Sequence, residues 1–138
     1  MTKFESTVHH IYAPQSAVYE KLADLTHLAA IKDRLPQDKV KNLSFDTDSL
    51  SVEVSPVGQV ALQIVEREPC KCIKFATTQS PLPINLWVQL LPDGEAESKM
   101  KLTIGLELNP FMKAMLQKPL QEHVEKFASL LAMIPYNQ

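Results

Sequence analysis

The feature that most limits what this chain can fold into is a strict two-residue alternation in its C-terminal third. Met100, Leu102, Ile104, Leu106 and Leu108 alternate with Lys99, Lys101, Thr103, Gly105 and Glu107. Successive side chains of a strand point to opposite faces, so this stretch reads as a strand with one apolar and one polar side. The same period runs back through the middle of the chain. Ile84, Leu86, Val88 and Leu90 alternate with Asn85, Trp87, Gln89 and Leu91, and Ile73, Phe75 and Thr77 with Cys72, Lys74 and Ala76. Val60, Leu62 and Ile64, then Leu50, Val52 and Val54, then Leu43 and Phe45 follow the same rule. Turn formers separate these runs: Asp46-Thr47-Asp48-Ser49, Ser55-Pro56-Val57-Gly58, Glu68-Pro69 and Pro92-Asp93-Gly94-Glu95. Strands joined by such short turns are antiparallel neighbours, and one-sided apolar faces make a sheet that is wet on one side and covered on the other.

The flanks supply the cover. Phe4 to Ile11 reads as a first strand. Pro14 suits the first turn of a helix carrying Ala17, Val18, Leu22 and Leu25. Thr26 then caps a short second helix with Leu28, Ala29 and Ile31, stopped before Pro36. After Asn109-Pro110, Phe111 to Gln117 form about two helical turns. Pro119 starts a longer helix with Leu120, Val124, Phe127, Leu131 and Ile134 on one stripe. The expected fold class is α+β: a curved antiparallel sheet of about seven strands, in the order β-α-α-β6-α, wrapped around a long C-terminal helix. A curved sheet that grips one helix leaves a space between the two. No linker or repeat interrupts residues 1–138, so one domain is expected.

Composition narrows function by exclusion. Three scattered glycines (Gly58, Gly94, Gly105) cannot write a phosphate-cradling loop. Fourteen basic against sixteen acidic residues leave a net charge of −2, not the footprint of a nucleic-acid or anionic-membrane binder. No apolar run is long enough for stable membrane insertion, and nothing implies a metal or other cofactor. Cys70 and Cys72 share a strand face about 6.5 Å apart, poor geometry for a disulfide, so a cytoplasmic protein with ordinary thiols is expected.

Ile11-Tyr12-Ala13-Pro14-Gln15-Ser16-Ala17-Val18-Tyr19 resembles the first strand and lead into the first helix of the START / polyketide cyclase-like (SRPBCC) superfamily. Asp24-Leu25-Thr26-His27-Leu28 resembles its break between two short helices, and Lys118-Pro119-Leu120 through Leu131 its pocket-lining final helix. Where many relatives carry a tryptophan, this chain has Ile31-Lys32-Asp33. The resemblance implies the helix-grip fold. Its members bind lipids, sterols, polyketides or plant hormones, act as cyclases, or serve as adaptors, so the fold does not fix the function.

The leading expectation is a binding protein for an apolar or amphipathic small molecule. Its cavity would be lined by Leu43, Phe45, Val52, Leu62, Ile64, Phe75, Leu86, Val88, Leu102, Ile104, Leu120, Val124 and Phe127, unless these simply pack against one another. The alternative is a cyclase- or dehydratase-like enzyme using His9 or Glu66 beside Thr7 or Thr77. If Ile11 faces inward, so do His9 and Thr7. Phe4 and Val8 then face out, unless a bulge, at a position the alternation does not give, reconciles them. His9 is then a pocket base or a histidine at the sheet's edge. Glu66 extends the inward series of strand residues or lies wet at the rim. Met112 and Met115 form an apolar gate or ordinary core, and His123 sits at the boundary of the helix stripe. Asp46, Asp48 and Asp93 belong to turns. Trp87, on the outer face with Leu91, marks a homodimer or adaptor contact or lies under a lysine stem such as that of Lys74 or Lys101.

Overall fold

The computed structural model describes residues 1–30, 32–34, 40–55, 58–80, 82–134 and 136. Ile31, the stop at Pro36 and the middle of the Pro56-Val57 turn lie outside the described residues. The chain runs β1 (Thr2–Glu5), β2 (His9–Ile11), α1 (Gln15–Leu22), two 3₁₀ turns (Leu25–Ala30 and Lys32–Arg34) and β3 (Val40–Phe45). It continues with β4 (Ser49–Val54), β5 (Gly58–Glu68), β6 (Cys72–Gln79), β7 (Ile84–Pro92), β8 (Ser98–Leu106) and α2 (Pro110–Ala132). The eight strands form one antiparallel sheet in the order β1-β8-β7-β6-β5-β4-β3, with β2 continuing beside β1 on β8. This is the α+β grip that the alternation predicts.

The first strand is two strands, and the break is the bulge. Glu5 pairs with Thr103 and His9 with Met100, so residues 6–8 stand opposite only Lys101 and Leu102. Ser6 fills the interrupted ladder. Its N–H donates to the Leu102 carbonyl at 2.9 Å, and its hydroxyl accepts from the Leu102 N–H at 3.0 Å. The extra residue lets Phe4 and Ile11, an odd number of positions apart, both be buried. The same device recurs in β3. Asn42 adopts a left-handed φ of 57°, which asparagine tolerates, and Val40 and Leu43 both turn inward across it. In β5, Val65 is the extra residue: Ile64 pairs with Phe75 and Glu66 with Lys74.

The helices also differ from the expected ones. The helix cap before Thr26 is Asp24, whose carboxylate accepts from the Thr26 N–H (3.0 Å) and hydroxyl (2.6 Å). Leu25 accordingly opens the 3₁₀ turn instead of closing α1. Pro119 does not start a helix. It lies inside the 23-residue α2, which Asn109 caps by accepting from the Met112 N–H at 2.8 Å. A proline costs one bond to the carbonyl four residues earlier. Here that residue is the exposed Met115, on the solvent side of the helix, so the stripe of Leu116, Leu120 and Val124 continues through it.

α2 packs along β1, β2 and β8. Gln121 Nε2 donates to the Glu5 carbonyl at 2.7 Å. Glu125 accepts from the Thr7 N–H (2.9 Å), the Thr7 hydroxyl (3.0 Å) and His9 Nε2 (2.7 Å). On the outer face, Trp87 lies over Gly105, with the ammonium groups of Lys3 and Lys74 at 5.4 and 5.6 Å from its ring. A Cβ on Gly105 would stand 2.8 Å from the Trp87 ring and 2.7 Å from the Met1 sulfur. Gly105 thus seats the indole.

Two measurements check these contacts. Gly105→Ala overpacks a rigid ring and should cost about 1–3 kcal/mol in urea unfolding, with a smaller cost in a Trp87→Leu background. The Thr7 N–H and the His9 side chain hold the Glu125 carboxyl below its ordinary value of 4.5. A depressed carboxyl stabilises the fold above its unfolded pKa and loses that contribution as pH falls through the folded one. Wild type should therefore exceed Glu125→Gln by about 1 kcal/mol or less at pH 7, the site being partly exposed, and the gap should close as pH falls from 5 to about 3.

Candidate functional site

Because α2 leans on β1, β2 and β8, the curved β3–β7 side stands away from it. A cavity of about 180 Å³ fills the gap. Ten of the expected lining residues surround it: Leu43, Val52, Leu62, Phe75, Leu86, Val88, Leu102, Ile104, Leu120 and Phe127. The alternation puts the strand residues there, and the helical period adds the last two. Val40, Leu50, Val54, Val60, Ile84 and Leu131 line it as well, and they share the same faces of the same elements. One end is closed by Leu22, Leu25 and Leu28, spaced three apart through the end of α1 and the first 3₁₀ turn.

The structure leaves the other expected site residues out of the wall. Ile64 and Val124 are buried in the adjoining core, and Phe45 packs at its edge, with the Lys32 ammonium 6.0 Å from its ring. Met112 is half-buried and Met115 is 60% exposed, both on turns of α2 that project beyond the cavity. Glu66 is exposed because the Val65 bulge flips it to the outer face beside Lys74. Arg67 then pairs with Ile73 and reaches back to the Ala23 carbonyl (3.2 Å) and the Asp48 carboxylate. His9 faces the helix side of the sheet, but its ring is engaged by Glu125, as is Thr7. The Thr77 hydroxyl accepts from the Ile84 N–H at 3.1 Å. The pairings of His9 or Glu66 with Thr7 or Thr77 that an enzyme would need are not assembled at the cavity.

His123 is the residue that the reading of the sequence missed. It is 6% exposed, not a boundary residue, and it lines the cavity. Its Nε2–H donates to the Ser55 carbonyl at 2.6 Å, which fixes the tautomer when the ring is neutral, and its ring stacks on Phe127 at 5.8 Å. Its place three residues after Leu120 and four before Phe127 put it on the stripe and was the available signal. The imidazole contributes ring carbon to the wall. Among the described residues, the whole surface facing the cavity is apolar.

Outside the cavity, other polar groups are engaged. His10 is held between the carboxylates of Asp93 and Glu97, so Asp93 does more than shape its turn. Cys70 and Cys72 are free. Burial and the nearby Glu68 and Glu66 carboxylates push the Cys72 thiol up, which makes it a poorer nucleophile. Trp87 is half-buried beneath Lys3 and Lys74, whereas Leu91 on the same face is 62% exposed.

No family model matches the chain, and no curated protein matches it by sequence. Solved structures do match. A norcoclaurine synthase from Thalictrum flavum, in complex with dopamine and hydroxybenzaldehyde, superposes with a TM-score of 0.70 at 11% identity, over 95% of this chain and 84% of that one. A protein from Thermus thermophilus gives 0.65 at 20% identity, over 95% and 94%. A START superfamily protein from Mycobacterium smegmatis gives 0.57 at 12% identity, over 91% and 98%. Identities this low speak to architecture alone, and the architecture is the START / polyketide cyclase-like helix-grip fold.

Proposed function

We propose that this protein binds a small apolar molecule, or the apolar end of an amphipathic one, between the sheet and α2. The observation that carries this reading is the uniformly apolar wall of the 180 Å³ cavity. An apolar wall holds water poorly, so an apolar guest gains dispersion contacts there without displacing tightly held water. Apolar cavities of about 150 Å³ in other proteins accept a single aromatic ring. A charged or hydrogen-bonding group inside would lose its hydration and find no partner, so an amphipathic ligand keeps its head outside. Binding is favoured over catalysis because, among the described residues, the one titratable side chain in the wall, His123, is engaged through Nε2 by the Ser55 carbonyl and adds only apolar surface to the space. A norcoclaurine synthase of the same fold has been captured with dopamine and hydroxybenzaldehyde, whose aromatic rings are of the size this cavity takes but whose ammonium and hydroxyl groups would find no partner in its wall. No helix among the described residues is long and apolar enough to cross a membrane, and a cytoplasmic carrier or sensor with free thiols fits the proposal.

Toluene is a suitable probe. Titrated into the protein, it should shift the methyl resonances of Leu62, Val88 and Leu102, and benzoate should bind about tenfold or more weakly. Ile104→Trp places an indole in the cavity and should abolish toluene binding while retaining a cooperative thermal transition. Unshifted methyls in the wild type, or equal affinity for toluene and benzoate, would overturn the proposal.

A further inference from the structure

β1 is an edge strand, and its open side faces α2. The two-residue period decides which of its main-chain groups point there. The Ser6 N–H is directed to β8, so Phe4 and Thr2 before it pair with β8 as well. Lys3, Glu5 and, past the bulge, Thr7 point the other way. The helix answers two of these three. Gln121 takes the Glu5 carbonyl and Glu125, one turn on, takes the Thr7 N–H. One turn back, Gln117 stands level with Lys3, yet no such bond closes there. Instead a groove of about 740 Å³ opens between β1 and the first half of α2.

The groove has a definite charge. Lys113 and Lys118 line its helix wall, and among the described residues neither has an ion-pair partner. Glu122 is the one acidic residue among its lining, at the end where Gln121 seals the edge, and none precedes it in α2. The Lys3 side chain is drawn to the outer face over Trp87, so what Lys3 offers the groove is main chain. A strand edge with free N–H and C=O groups, facing two unpaired ammonium groups across a gap, is a template for an extended chain of opposite charge.

We infer that this groove binds a short extended acidic peptide segment, which adds to β1 at Lys3 and sets its carboxylates against Lys113 and Lys118. Main-chain bonds supply the register, and the two lysines select charge. The site shares no lining residue with the cavity, although α2 borders both.

The probe is a capped peptide of alternating glutamate and valine, titrated into ¹⁵N-labelled protein. The Lys3 and Glu5 amides should shift most, and exchange of the Lys3 amide with solvent should slow. Three changes should each weaken binding about fivefold or more: N-methylation of the peptide edge that faces β1, replacement of its glutamates by lysine, and the double variant Lys113→Glu with Lys118→Glu. Absence of shifts at Lys3 would overturn the inference. So would undiminished binding of the N-methylated peptide, which marks a diffuse attraction between charges, or concentration-dependent self-association through β1 that excludes the peptide.

Discussion

The interaction on which the rest of this structure depends is the seam between β1–β2 and α2. Gln121 and Glu125, one helical turn apart, bind successive outward-pointing main-chain groups of the first strands. His9 and the Thr7 hydroxyl add two more contacts to the same carboxylate. A helix in a curved sheet can rest centrally or lean to one side. These bonds hold it against β1, β2 and β8, and the opposite half of the sheet arches away from it over the cavity. The cavity follows from where the helix is fastened as much as from which side chains line it. The groove follows too, because the seam stops one turn short of Lys3.

That dependence explains how much was legible in the residues. Alternation in β4 to β8 is a local property, written by each strand for itself. It located Leu62, Phe75, Val88 and Leu102 on one face without any tertiary knowledge. The spacing of Leu120 and Phe127 did the same for the helix. What alternation could not reveal is where the count slips. Four one-residue irregularities, at residues 6–8, at Asn42, at Val65 and at Thr78, each reverse the faces beyond them. None carries a glycine or proline that would mark it. Ser6 succeeds because its hydroxyl can replace a ladder group, and Asn42 because its side chain tolerates a positive φ. Both are properties of the folded pairing and not of the isolated segment.

The helix errs in the reading for a different reason. Pro119 weighs heavily when a helix is considered alone, since the ring removes a bond worth keeping. In the folded chain the buried stripe on both sides of Pro119 is anchored to the same sheet. Continuity of packing from Leu116 to Leu130 outweighs one missing bond on the wet side. His123 fails to stand out because its type is ambiguous. Only the Ser55 carbonyl, delivered by a turn between two distant strands, makes it a satisfied core residue and not a wet one.

The Val65 bulge has the largest functional consequence. Without it, the inward series Val60, Leu62, Ile64 would continue to Glu66 and bring a carboxylate to the cavity side of the sheet. With it, that carboxylate is turned to solvent, and Arg67, on the face it vacates, is drawn off to Asp48 and the Ala23 carbonyl. One inserted residue therefore decides whether β5 carries a carboxylate or an arginine on that face beyond Ile64. A bulge achieves this without slipping the rest of the strand, whose register is fixed by the burial of Val60, Leu62 and Ile64. In this chain the register leaves an apolar cavity wall, and the polar groups beside it are spent on holding the walls in place.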